Sequence, residues 1–389
     1  MFPNRLSQAV AARRASGREI LDLTISNPTR AGLDYDQNVI LGCLGNENVL
    51  DYDPQPQGLL PAREAVAQYY AERGESVSPE SLFLTSGTSE GYSYLFRLLA
   101  NPDDEILIPT PSYPLFEFLA GLDDVKLVPY LLIYDHGWHI DIHSIQEAIT
   151  PRTRAIVLLH PNNPTGSYVS AKECEALNQI CERHRLALIV DEVFLDYSHD
   201  RRHRPSFANS SVDPSKLRVG GDILTFALSG LSKISALPQM KLAWIAIRGP
   251  ENRRNEAQQR LEVIADAYLS VGAPVQWAAP VLLAQRHRIQ PQLIERVLQN
   301  LTELDRQLAA QSTCSRLLVE GGWYAILRVP ATQSDEDLAI KVLQEAGVLV
   351  HPGHFYDFPS DGYIVLSLIA LQPEFRVALE RVLRTLGDL

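Results

Sequence analysis

The sequence predicts a two-domain α/β protein: a large domain around a seven-stranded, mostly parallel sheet, and a smaller α+β domain. Three observations carry this. At 389 residues the chain exceeds what one core organises and has the usual length of two domains. Seven short apolar runs alternate with helix-like stretches between about residues 80 and 250. After Pro291 the pattern changes to one long helix followed by strands and helices of different spacing.

The seven runs are Leu82–Thr85, Glu105–Pro109, Leu127–Leu132, Ala155–His160, Ala187–Asp191, Ile223–Leu228 and Leu242–Ile247. Most are continuously apolar rather than alternating, the pattern of strands covered on both faces. Strands with intervening helices in this order predict a parallel sheet with helical layers. Gln292–Ala310 has helical periodicity. Strands are expected at Gly322–Val329, Val348–His351 and Tyr363–Leu368, and helices at Asp335–Glu345 and Pro373–Leu386. The first 40 or so residues carry one helix and then the turn-rich Thr24-Ile25-Ser26-Asn27-Pro28-Thr29. The large domain is therefore placed at 45–285, and residues 1–44 and 286–389 are given to the small domain.

Composition narrows the classes of function. Hydrophobic residues make up 46% and charged residues 21%, the balance of a globular enzyme. A net charge of −12 opposes binding to nucleic acid or an anionic membrane surface. No run of about 18 apolar residues exists to span a bilayer. The stretch from Met1 lacks an apolar signal core, and Cys43, Cys174, Cys181 and Cys314 are scattered without a CxxC pair. A cytoplasmic protein with reduced thiols, and no metal site, is expected. No repeat is visible.

Polar motifs fall at the carboxyl ends of the strands, where open α/β sheets bind ligands. After the first strand, Ser86-Gly87-Thr88-Ser89-Glu90-Gly91 opens a helix, whose N–H groups and hydroxyls suit a phosphate, although Ser and Thr are also ordinary N-caps. After the fourth, His160-Pro161-Asn162-Asn163-Pro164-Thr165-Gly166 forms a rigid turn that aims the Asn163 amide. After the fifth, Asp191 ends an apolar strand and calls for a cationic partner. After the sixth, Lys233 lies in Ser229-Gly230-Leu231-Ser232-Lys233. It is either a surface cation or a partly buried amine of lowered pKa, the kind that forms Schiff bases. Singly each motif has a bland explanation. In order along one sheet, a phosphate cradle, amide donor, acid and lysine together meet the demands of pyridoxal 5′-phosphate.

Over about residues 20 to 370 the sequence resembles the fold-type I pyridoxal phosphate-dependent aminotransferases of class I/II. The resemblance rests on Tyr52, Gly58-Leu59, Arg63-Glu64-Ala65, Ser86-Gly87-Thr88, Pro111-Ser112-Tyr113-Pro114, Asn162-Asn163-Pro164-Thr165-Gly166, Asp191-Glu192-Val193 and Ser232-Lys233. It implies that Lys233 forms the Schiff base with the cofactor and, once freed, is the general base. It implies that Asp191 pairs with the pyridine nitrogen, Asn163 donates to the ring's phenolate oxygen and Tyr113 stacks on the ring. Gly87, Thr88 and Ser89 would hold the phosphate with Ser229 or Ser232. Tyr52 would reach the phosphate in a neighbouring subunit, implying a homodimer with shared sites. The activity implied is amino transfer between an amino donor and a keto acid.

Three positions depart from the family's pattern. Lys241 stands where an arginine usually grips the phosphate; it keeps the charge and loses the bidentate fork. Phe194 replaces a frequent tyrosine, removing a hydrogen bond to the phenolate oxygen and favouring a higher Schiff-base pKa. Val365 sits at or near the arginine that clamps a substrate α-carboxylate. Either another cation substitutes, with Arg30 the candidate, or the substrate has no carboxylate there.

Other residues carry weaker signals. His354, in His351-Pro352-Gly353-His354, is expected to touch substrate rather than a metal. Tyr324 is expected either to line the pocket or to pack in the core, while His136 and His139 flank Trp138 in a surface turn. A lyase or decarboxylase would share the same cofactor grip. A non-catalytic cofactor-binding module fits less well, with no room for a DNA-binding domain and an acidic charge.

Overall fold

The computed structural model describes residues 4–114, 116–210 and 223–387. Met1, Phe2 and Pro3, the start of the stretch examined above for an export signal, lie outside them.

All seven expected strands form one sheet, joined by an eighth. In chain order they are β1 (Leu82–Thr85), β2 (Glu105–Thr110), β3 (Lys126–Tyr134), β4 (Trp138–Ile140), β5 (Thr153–Leu159), β6 (Ala187–Asp191), β7 (Thr225–Gly230) and β8 (Ala243–Arg248). Their spatial order is β1-β8-β7-β6-β5-β2-β3-β4. The pairs β3–β2, β2–β5, β5–β6 and β6–β7 are parallel. Strand β8 runs antiparallel to both β1 and β7, and β4 antiparallel to β3.

The extra strand is the three-residue β4. Read from the sequence as a turn, it carries no apolar run, and only its pairing with β3 makes it a strand. Trp138 is buried there, while His136 and His139 are exposed as expected.

Side-chain alternation explains the layers. Ile106, Val157 and Ile189 point to one core, beneath helices Thr88–Leu99 and Glu251–Asp266. Their neighbours Leu107, Ile156, Leu158, Leu188 and Val190 point to the other face. Both faces are covered, so both sets are apolar and the runs read as continuous. The second core also takes in Leu338, Val342, Ile364, Leu366 and Phe375, so the two parts of the chain share buried surface.

In the C-terminal part, Tyr324–Arg328 and Tyr363–Ser367 pair antiparallel, flanked by Ser315–Arg316 and His351–Pro352. Helix Asp335–Ala346 packs on them, and helix Gln372–Gly387 packs on that helix and on Val348–Leu349. The N-terminal segment joins this part: Leu21–Asp22 pairs parallel with Val348–Leu349. Helix Arg5–Ala15 lies along Asp335–Ala346, with Arg5 donating to Asp337 at 2.6 Å. The long helix begins at Arg286 and runs through Pro291, earlier than the sequence suggested. A proline inside a helix sacrifices a backbone hydrogen bond. Here Ile289, Leu293, Val297 and Leu304 continue one buried stripe across it, and that burial outweighs the loss.

Among the described residues no helix is long and apolar enough to cross a membrane. None of the four cysteines forms a disulfide.

Candidate active site

Strands β5, β6 and β7 run parallel and side by side, so their carboxyl ends open on one edge. Strand β8 begins at Ala243, which pairs with both Thr85, ending β1, and Gly230, ending β7. Hence the segments after β1, β5, β6 and β7, and before β8, converge. Gly230 is required at this junction: a Cβ there would lie 2.8 Å from that of Ala243.

The convergence encloses a cavity of about 270 Å³. It is lined from the first segment by Thr88 and Ser89, from the β5 end by Asn163, and from the β6 end by Asp191 and Phe194. Ser232 and Lys233 complete the floor, and Tyr113 and Tyr324 complete the walls. The structure thus brings together most of the residues singled out in the sequence.

Asp191 ends β6 facing the cavity, while the next residue, Glu192, faces the opposite side. There Glu192 accepts from the Phe207 N–H at 2.6 Å and the Ser206 hydroxyl at 2.5 Å. Asp191 accepts from the Val193 N–H at 3.1 Å and the Tyr92 hydroxyl at 3.2 Å. Burial pushes its carboxyl up to about 6, against those two hydrogen bonds and the charge of Lys233. Two hydrogen bonds do not repay burying this charge, so a further cation beside it would be stabilising.

Lys233 lies in the short helix Leu231–Ile234, its carbonyl accepting from Tyr197 at 2.6 Å. Its amine stands 5.3 Å from the ring centre of Phe194 and 4.8 Å from that of Trp323. Burial pulls its pKa down to about 8, opposed by Asp191. About a quarter of the amine is then uncharged at pH 7.5, against about one part in a thousand for an ordinary lysine.

The Asn163 turn is set by tertiary packing. Gly166 has φ of +69°, and a Cβ there would fall 2.3 Å from Val319 and 2.5 Å from the Gly321 carbonyl; only glycine fits. Asn163 is buried and its Oδ1 has no hydrogen-bond partner, and the same is true of the Ser229 Oγ.

Gly87 caps the helix that starts at Thr88. A Cβ at Gly87 would lie 3.4 Å from the Lys241 Nζ, so this lysine reaches the helix N-terminus and adds a charge to its N–H groups. Ser232, not Ser229, lines the cavity. Of the other residues considered, Tyr52 is 80% exposed on a separate groove. Arg30 is exposed and outside the cavity lining. His354 lines an adjoining chamber. Val365 is fully buried in the C-terminal sheet, paired with Ile326 and His351.

Sequence reasoning missed Tyr92, Ser26, Phe116 and Val193, which also line the cavity. Tyr92 had a signal, since it stands four residues after Thr88 on the same helical face. Ser26 had none. It is carried in by the Leu21–Asp22 pairing and by the Ser367 hydroxyl, which donates to the Ile25 carbonyl at 2.6 Å.

Pyridoxal 5′-phosphate fits this donor set. An anion cradle with Lys241, the side-chain amide of Asn163, a buried acid with no ion-pair partner among the described residues and an amine of lowered pKa match its phosphate, phenolate, pyridine nitrogen and aldehyde. It is the cofactor of the family that the comparisons identify.

Glutamate-pyruvate aminotransferase AlaA of Escherichia coli (strain K12) is 31% identical over 268 residues, covering 69% of this chain and 64% of that protein. The match thus spans just under two thirds of that relative's length. The protein of the same name from Haemophilus influenzae is 25% identical over 96% of this chain and 92% of its own. Among solved structures, an aminotransferase from Escherichia coli has a TM-score of 0.85 at 25% identity, covering 99% of this chain and 95% of its own. Alanine aminotransferase from Pyrococcus furiosus has the same fold, with a TM-score of 0.88 at 22% identity over 99% and 96% of the two chains. Residues 46–371 match the family described as aminotransferase class I and II. That stretch holds every residue of the Lys233 cavity except Ser26, and the chain belongs to this family.

Proposed function

We propose that this chain transfers an amino group from an amino donor to a keto acid with pyridoxal 5′-phosphate, as a cytoplasmic homodimer. The observation that carries this is the Lys233 amine and the Asp191 carboxyl sharing one cavity. When bound, the cofactor supplies an electron sink for the bond broken at the nitrogen-bearing carbon.

The protein's part is to hold groups and move protons. Asp191, kept in place by Val193 and Tyr92, would keep a proton on the pyridine nitrogen. Asn163 would donate to the phenolate oxygen, and Tyr113 would cover the ring. Gly87, Thr88, Ser89, Ser232 and Lys241 would hold the phosphate. The uncharged Lys233 amine is the base that takes the proton from the donor carbon and returns it one position away. Phe194 offers an apolar wall where a hydroxyl would otherwise act, leaving Asn163 as the donor to the phenolate. The reduced thiols support a cytoplasmic setting. Tyr52 and Leu50, both largely exposed, support the homodimer, in which Tyr52 would serve the neighbouring site.

The test is a single half-reaction: cofactor-loaded enzyme mixed with an amino donor and no acceptor, followed by absorbance. Amino transfer leaves one equivalent of pyridoxamine phosphate per site. Regeneration of the aldehyde form without acceptor would instead indicate a lyase. A second expectation concerns Lys241. Lys241→Met should weaken cofactor binding roughly 10–100-fold, the loss of one charge-assisted contact, measured by calorimetry on cofactor-free protein. Unchanged affinity would remove Lys241 from the phosphate site.

A further inference from the structure

The Lys233 amine sits in aromatic surroundings that the cofactor grip does not explain. It stands 4.8 Å from the ring centre of Trp323 and 5.3 Å from that of Phe194. Those two rings meet edge to face, 5.1 Å apart at 74°. Among the described residues the amine has neither a hydrogen bond nor an ion pair. Asp191 is the one acid among the described residues of the lining, and its charge is the one that reaches the amine. The other titratable groups there, Tyr92, Tyr113 and Tyr324, are phenols that burial keeps protonated. Tyr197 donates its hydroxyl to the Lys233 carbonyl, not to the amine.

Trp323 has the features of a residue placed for its ring face. It is fully buried, and its indole N–H has no hydrogen-bond partner among the described residues, a cost that phenylalanine would avoid. It is outside the cavity lining, so its ring meets the amine and not the space left for a donor. Its place is fixed from both sides. The Gly322 N–H donates to the Tyr197 carbonyl at 2.9 Å, and the Leu368 N–H donates to the Trp323 carbonyl at 2.7 Å. A Cβ at Gly321 would lie 2.6 Å from the Tyr168 hydroxyl, so the turn admits no side chain there. The Tyr197 ring is 5.1 Å from that of Trp323. Tyr197 thus ties the backbone of Lys233 to the turn that carries Trp323.

A base in amino transfer is charged for part of each turnover, between taking the proton and returning it. In the function proposed above, Asp191 is then committed to the pyridine nitrogen. An ammonium in this buried corner needs another stabiliser. Aromatic faces supply one, tryptophan more strongly than phenylalanine. We propose, building on that function, that Trp323 and Phe194 are positioning residues whose ring faces hold the protonated Lys233 amine between its two proton transfers. A ring that only excluded water would favour the uncharged amine, whereas a ring that binds the cation favours the charged one. The two roles predict effects of opposite sign.

The experiment reads the Lys233 amine directly. Cofactor-free protein is exposed to trace acetic anhydride from about pH 6 to about pH 10, and acetylation of Lys233 is followed by peptide mass spectrometry to find its titration midpoint. Trp323→Leu and Phe194→Leu should each lower that midpoint by about 0.4–1.5 in pH, with Trp323→Phe between Trp323→Leu and wild type. In cofactor-loaded enzyme the two leucine variants should slow the half-reaction about 2–20-fold, while the donor's half-saturating concentration stays within about twofold. Midpoints that stay or rise overturn the proposal, because the rings then act only by keeping water away. An unchanged half-reaction rate overturns it too. Should Trp323→Leu fail to fold, Phe194→Leu and Trp323→Phe carry the same comparison. Failure of amino transfer itself reads differently. A loaded wild type that gives no pyridoxamine phosphate refutes that function even where the midpoints fall, and unmoved midpoints in an active enzyme refute this proposal alone.

Discussion

Lys233→Ala is expected to slow the amino-transfer half-reaction by about 10⁴-fold or more, because it removes both the attachment point and the base. The cavity should survive the change. Among the described residues the amine makes no hydrogen bond that holds the fold, and the anchoring contact from Tyr197 goes to the Lys233 backbone carbonyl. Cofactor should therefore still bind, non-covalently, and dialyse away more readily. Added methylamine should recover part of the lost rate by supplying a mobile base. Wild-type protein offers a further check through pH. With its pKa lowered to about 8, Lys233 gains its reactive uncharged form as pH rises. The rate of cofactor capture by cofactor-free protein should climb through about pH 8 and level off above it. A variant retaining a tenth of wild-type turnover would remove Lys233 from its role.

Asp191→Asn should lower the half-reaction by roughly 10²–10⁴-fold, since an amide cannot hold a positive charge on the pyridine nitrogen. The same change should stabilise the cofactor-free protein. Burial raises the Asp191 carboxyl from 3.8 to about 6, so the folded state binds this proton more tightly than the unfolded chain does. The stability conferred by the protonated acid is complete below about pH 4 and is lost as pH rises to about 6. At neutral pH the buried charge therefore costs the fold at most about 3 kcal/mol. Relative to wild type, the asparagine variant should show no gain below about pH 4, a growing gain to about pH 6, and a constant one above. Urea unfolding across that range measures it. A gain at pH 7 combined with lost activity would mark Asp191 as a residue kept for chemistry at the expense of stability. Equal stability at every pH would mean that the carboxyl is better solvated than its burial implies.

The layered α/β architecture was legible because its strands are buried on both faces and so appear as unbroken apolar runs such as Ala155–Leu159 and Ala187–Val190. Strand β4 was not, because three residues of a hairpin carry too little pattern to distinguish them from a turn. The helix from Arg286 was read too short because Pro291 is a local breaker, whereas the buried stripe on either side of it is a tertiary effect. Lys233, Asp191, Asn163 and the Gly87-Thr88-Ser89 turn were legible because each combines a polar group with the end of an apolar strand, a juxtaposition that is costly without a purpose.

The amino-acid order alone was enough to name most of the residues that meet in the Lys233 cavity, since they sit at strand ends whose meeting place follows from parallel topology. It was not enough for the substrate. Whether Arg30 could replace the arginine missing at Val365 depended on where a loop distant in sequence comes to rest, and it rests outside the cavity. Likewise Ser26 enters and Trp323 meets Lys233 only through folding. Those encounters join segments some 90 to 340 residues apart, held by a strand pairing at Leu21–Asp22 and by backbone hydrogen bonds at Gly322 and Leu368. Local sequence encodes propensity and burial, while the distance between two such loops is set by the packing of everything between them.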